Sequence, residues 1–183
     1  MTLHSNSKST HDAPVELLDM LSDDPTDIIA FITHCTGDDL HCLRSVHGIA
    51  GEVEIFDAIL HHPECDRATA LQIFEACNPH YYEAELRKGR ALDSYDDEED
   101  QVFIAIIDIA HGLLNKRLDW RGKFDCAALR AWAKYPHTAP THFDHWTLPA
   151  AALAPTEGQT PVSAIEYRYS SIRLNQTAAT RLM

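Results

Sequence analysis

The chain has 183 residues, is 45% hydrophobic and carries a formal net charge of −13. A chain of this length can bury a core, and this composition excludes disorder throughout. The sign of the charge opposes a nucleic-acid ligand, because phosphate contacts to Lys and Arg supply much of that affinity. No apolar run approaches the roughly 18 residues of a membrane span. Residues 1–13 lack the apolar centre of a signal peptide, so the expected compartment is the cytoplasm. The five cysteines, Cys35, Cys42, Cys65, Cys77 and Cys126, are odd in number and form no C-x-x-C pair, which fits reduced, buried thiols.

Residues 1–13 read as a flexible polar arm, and residues 14–134 as a helical domain. Pro14 opens a first short helix carrying Val15, Leu17, Leu18 and Leu21. Asp23-Asp24-Pro25 caps the next, with Ile28, Ile29, Phe31 and Ile32 apolar and Gly37 as its expected stop. Asp38 or Asp39 begins a helix with Leu40, Leu43 and Val46 that reaches about Ala50. Val53 to His61 follows, with Ile55, Phe56, Ile59 and Leu60 inward, and Pro63 excludes the α region for His62. Asp66 offers a cap to a helix over 66–77, in which Ala70, Ile73, Phe74 and Cys77 share one face. Asn78-Pro79 ends it and starts another, to about Gly89, bearing Tyr81 and Tyr82.

Residues 93–100, D-S-Y-D-D-E-E-D, place six carboxylates in eight positions. They lead into Gln101–Leu118, where Val102, Phe103, Ile106, Ile107, Ile109, Ala110, Leu113 and Leu114 cover more than one face, so this helix is expected to be central. Acids at a helix start are stabilised by the dipole, but about 0.3–1 kcal/mol per group hardly requires six. Asp125 is the expected cap of a helix over Cys126–Lys134, with Leu129 and Trp132 inward. Pro136, Pro140, Pro149, Pro155 and Pro161 then predict an extended, polyproline-like segment pinned by Phe143, Trp146 and Leu148. Ile165, Tyr167 and Tyr169 alternate like a strand, though an ordered tail or a late helix fits as well. Residues 135–183 thus read as a Pro-rich extension and C-terminal tail packed on the domain. The fold class is all-α, a multi-helix bundle or a solenoid-like stack of short antiparallel helices.

The run H-P-E-C-D-R-A-T-A-L-Q-I-F, followed by N-P-H-Y-Y, resembles the bacterial family designated domain of unknown function 4274. The matching positions are Pro63, Cys65, Asp66, Thr69, Ala70, Leu71, Ile73, Phe74, Pro79, Tyr81 and Tyr82, and the likeness covers about residues 43–90. The family's aromatic-rich opening is replaced here by Ser45-Val46-His47-Gly48-Ile49-Ala50-Gly51. Such domains are often encoded among toxin and immunity genes, so the resemblance implies an immunity or antitoxin role.

Three groups of residues could carry chemistry. His34-Cys35, His41-Cys42 and His47 offer zinc donors at a spacing that fits no standard pattern, and His137, His142 and His145 with Asp144 form a second, loop-borne group. Cys65, beside His61 and His62 and just before a helix N-terminus, is the best thiol nucleophile, since that position would lower its pKa. Solvated or packed side chains explain each group more simply, and no phosphate-binding or nucleophile-elbow motif is present.

The charge is one-sided. Residues 1–117 hold 23 acidic and 8 basic side chains, and residues 118–183 hold 5 and 7. The sequence therefore points to a non-enzymatic protein that binds and neutralises a cognate toxin with a basic surface, a nuclease being one such target. Asp96, Asp97, Glu98, Glu99 and Asp100 would form the docking surface, with Tyr95 as an amphipathic anchor. No cofactor, metal, nucleic acid or membrane enters this reading. The alternatives are a small thiol- or metal-dependent hydrolase and a helical scaffold.

Overall fold

The computed structural model describes residues 25–46, 53–117 and 120–161. The expected arm, the helix from Pro14, the caps Asp23 and Asp24, His47 and the alternating Ile165, Tyr167 and Tyr169 all lie outside the described residues. Within them the protein is all-α: α1 (Pro25–Ile32), α2 (Gly37–Val46), α3 (Val53–His61), α4 (Arg67–Ala76), α5 (Pro79–Arg87), α6 (Glu98–Lys116) and α7 (Ala127–Lys134). Three 3-10 turns, Leu92–Ser94, Pro136–Thr138 and Pro140–His142, complete the regular structure.

The helix starts are written locally. Asp66 adopts an extended backbone, and its carboxylate accepts the N–H of Ala68, which caps α4. Asn78 takes the left-handed conformation at φ 57, and Pro79 then opens α5. Asp97 accepts the N–H of Glu99 at 2.9 Å and starts α6 three residues ahead of Gln101, so Glu98, Glu99 and Asp100 belong to the helix.

Two starts differ from expectation. Gly37 does not stop α1, which ends at Ile32, but begins α2. Its N–H donates to Glu64 Oε2 at 2.9 Å, and an added Cβ would stand 2.9 Å from the Glu64 carbonyl oxygen. The glycine serves close approach, while Thr36 and Asp39 cap α2 reciprocally: Asp39 Oδ2 accepts the Thr36 N–H and Thr36 Oγ1 accepts the Asp39 N–H. Asp125 likewise does not cap α7. Cys126 holds the cap position without a side-chain bond, and the Asp125 carboxylate pairs with Arg130.

Packing makes a bundle rather than a linear stack. α4 touches α2, α3, α5, α6 and α7, whereas in a solenoid each unit meets only its neighbours. All eight residues from Arg67 to Phe74 are buried, so α4 is the enclosed helix, not the more apolar α6. α6 buries Ile104, Ile106, Ile107, Ala110 and Leu114, while Val102, Ile109 and Leu113 stay partly exposed. The Pro-rich segment forms the two 3-10 turns instead of a wholly extended path, with proline first in each. Its Phe143, Trp146 and Leu148 are buried in the common core, the anchoring role expected of them.

Candidate functional site

The start of α6 carries the most concentrated charge. Asp93, Asp96, Asp97, Glu98 and Glu99 are exposed, and none has an ion-pair partner among the described residues. Asp97 is occupied as the helix cap. Asp100 is partly buried and accepts the Tyr82 hydroxyl at 2.6 Å. The free carboxylates are therefore Asp93, Asp96, Glu98 and Glu99. Side by side on a helix start and open to water, they create a negative field but supply no nucleophile and no spaced acid/base pair.

Tyr95 is not the exposed anchor expected from the sequence. It is 3% exposed, because its backbone turns it inward between two partners. The Tyr82 ring meets it edge-on with centroids 5.3 Å apart, and the Arg90 guanidinium lies 3.8 Å over its ring. The Gln101 side chain donates to the Tyr95 carbonyl at 2.5 Å. Burial chiefly pushes the Tyr95 phenol up, Arg90 opposes, and Tyr81, Glu85 and Asp100 add to the rise.

Two further residues border this surface. Glu85, near the end of α5, binds Lys88 at 2.6 Å and stands 4.0 Å from Arg90. Gly89, at φ 87, reverses the chain after α5 and delivers Arg90 to Tyr95. Gly89 stands where the sequence placed the end of this helix, as a C-terminal glycine does, whereas no local pattern marks Glu85.

A cleft of about 280 Å³, lined by no residue of α6, opens beside the H-P-E-C-D motif. Its polar groups are engaged with one another. Asp66 Oδ2 accepts the Lys123 N–H at 2.7 Å, Lys123 Nζ binds Asp38 at 2.6 Å, and the Trp120 indole donates to the Cys65 carbonyl. The motif residues thus brace the bundle.

Cys65 faces that brace and is 2% exposed. Burial pushes its thiol well up, the Asp66 carboxylate adds to this, and Arg117 only partly opposes them, so the helix N-terminus does not yield a thiolate. His61 Nδ1 pairs with Asp57 at 3.0 Å, and the His62 ring accepts the Glu64 N–H, while the Cys65 thiol is directed to the Asp66 carbonyl at 3.8 Å.

The histidine groups are also divided among other partners. Cys35 donates to the Phe31 carbonyl, and its thiol is pushed up to about 12 by burial and by Asp39. The His41 ring is buried, bonded to Thr69 at 2.8 Å and packed 4.6 Å from Phe124. His137 lies against Tyr135 and His145 against Trp146, while Asp144 pairs with Arg87. Among the described residues no group of three or more His, Cys, Asp or Glu side chains is arranged to hold a metal ion.

No family model, curated protein or solved structure matches the chain. Among the described residues, no helix is long and apolar enough to cross a membrane.

Proposed function

We propose that this protein is a non-enzymatic, immunity-type inhibitor that binds a cognate bacterial toxin through the acidic start of α6. The observation that carries this reading is the set of exposed carboxylates, Asp93, Asp96, Glu98 and Glu99, at and just before the capped start of α6, with no ion-pair partner among the described residues. Such a surface raises the encounter rate with a basic partner and fixes its orientation. The resemblance of residues 43–90 to domain of unknown function 4274, with its toxin and immunity gene neighbours, supports the same role. A cytoplasmic site of action and a basic target such as a nuclease belong to this proposal.

The decisive experiment is capture of the partner from lysate of the producing cells at low and at high salt. One stoichiometric basic protein should be recovered, and recovery should fall as salt screens the surface. Reversing Asp96, Glu98 and Glu99 to lysine should abolish capture while leaving the fold intact, because neither the Asp97 cap nor the Tyr82–Asp100 bond is touched. Salt-independent capture that survives the reversal would refute the acidic surface as the site.

A further inference from the structure

We propose that the Tyr95 ring is the receiving surface for an arginine side chain of the basic protein partner, and that Arg90 fills this place in the free chain. The inference rests on the docking reading above and names the chemistry within it. The structure already displays a guanidinium bound there: Arg90 lies 3.8 Å over the Tyr95 ring and 4.0 Å from Glu85. A ring face beside a carboxylate is the set of contacts that an incoming arginine requires.

Arg90 is weakly held. Its side chain is 42% exposed, and the carboxylate it approaches is already bound more closely by Lys88, at 2.6 Å. An exposed ion pair of that kind holds a side chain only loosely, so an incoming guanidinium can take the place of Arg90 over the ring. The surrounding field then draws in a further cation, because Asp93, Asp96, Glu98 and Glu99 have no ion-pair partner among the described residues with Arg90 in place.

An independent observation concerns the Tyr95 hydroxyl, which is buried and has no hydrogen-bond partner among the described residues. A buried polar group in that state is unusual, and the phenol oxygen can accept an N–H from a guanidinium. The Tyr82 ring, whose hydroxyl is bonded to Asp100 at 2.6 Å, meets the Tyr95 ring edge-on at 5.3 Å, which sets Tyr95 beside the acidic start of α6. Arginine is favoured over lysine because a planar guanidinium stacks on a ring and presents several donors, whereas an ammonium is a hydrated point charge.

The test uses the full chain with oligo-arginine and oligo-lysine peptides of equal length, read by fluorescence titration at low salt. The arginine peptide should bind about fivefold more tightly than the lysine peptide. Tyr95→Leu should erase that preference, and Tyr95→Phe should retain most of it. Arg90→Ala uncovers the ring and should strengthen arginine binding more than lysine binding. Lys88→Ala removes the same charge away from the ring and should strengthen both alike. Should Tyr95→Leu fail to fold, the comparison of Arg90→Ala with Lys88→Ala decides by itself. Equal binding of both peptides in every variant, lost on reversing Asp96, Glu98 and Glu99, would overturn the arginine place and leave the acidic docking surface standing. Absence of binding by either peptide would overturn both.

Discussion

A methyl group added at Gly122 would stand 2.6 Å from an Arg67 Nη2 atom and 2.9 Å from Thr156 Cγ2. The arginine cannot swing away, since its guanidinium donates to the carbonyls of Ala151, Ala154 and Pro155 at 2.9–3.0 Å. Gly122→Ala should therefore destabilise the fold by about 1–3 kcal/mol, measured by urea unfolding. A second residue-level expectation concerns Glu75, whose carboxylate accepts the Trp132 indole N–H at 2.8 Å. Burial raises its pKa above the ordinary 4.5, and the indole bond only partly offsets this. Between 4.5 and the folded value the native state binds more protons than the unfolded chain, so this group's contribution to stability declines as pH rises through that window. Wild-type stability measured relative to Glu75→Gln should accordingly fall as pH rises above 4.5, and a difference that rises would contradict the assignment. At this scale, what the sequence discloses is what is local. The Asp66 cap and the Asn78-Pro79 break are chemistry within two or three residues and were readable. The roles of Gly37 and Tyr95 depend on Glu64 and Arg90, one distant in sequence and the other on the far side of the Leu92–Ser94 turn, and were not.

The contrast between α4 and α6 shows why apolar content identifies a helix more readily than its place. α6 is the longer and more apolar, yet Val102, Ile109 and Leu113 along one side are only partly buried. α4 contains Arg67, Thr69 and Gln72, polar residues that suggest a solvent face. Each is buried with a partner: Arg67 on three carbonyls, Thr69 on His41 and Gln72 on the Asp125 carbonyl at 3.0 Å. Hydrogen bonds offset most of the cost of such enclosure, although Arg67 Nε has no partner among the described residues, and the partners come from elements far along the chain. Leu71→Ala, at 0% exposure in α4, should cost about 2–5 kcal/mol, whereas Leu113→Ala in α6 should cost well under half as much. Similar losses at the two positions in denaturant titrations would mean that α6 is as enclosed as α4.

Over the whole molecule, the Pro-rich segment behaves as part of the body rather than as an appendage. Glu83, 2% exposed, receives the backbone N–H groups of Asp144 and His145 at 2.6 and 3.2 Å, while the Trp146 indole donates to Asp108 at 2.8 Å. Glu83→Ala would leave those N–H groups without their acceptor and should cost about 2 kcal/mol. Hydrogen exchange should then show the amides of residues 143–148 losing protection before those of α4. Protection lost evenly across the chain would mean that the segment has no separate step of opening. The anchors Phe143, Trp146 and Leu148 were legible as isolated large apolar residues among prolines. Their acceptors on α5 and α6 were not, because a carboxylate that ends up buried looks the same in sequence as one in water.

The five thiols give this architecture a built-in clock. None of Cys35, Cys42, Cys65, Cys77 and Cys126 is in a disulfide and all are buried, spread from the turn before α2 to the start of α7. A thiol reagent can reach them only as fast as the native structure opens, so the time course of alkylation reads the frequency of that opening directly. Because Cys65 and Cys77 flank α4, the order in which the sulfurs become labelled would record whether the bundle comes apart from its rim or all at once.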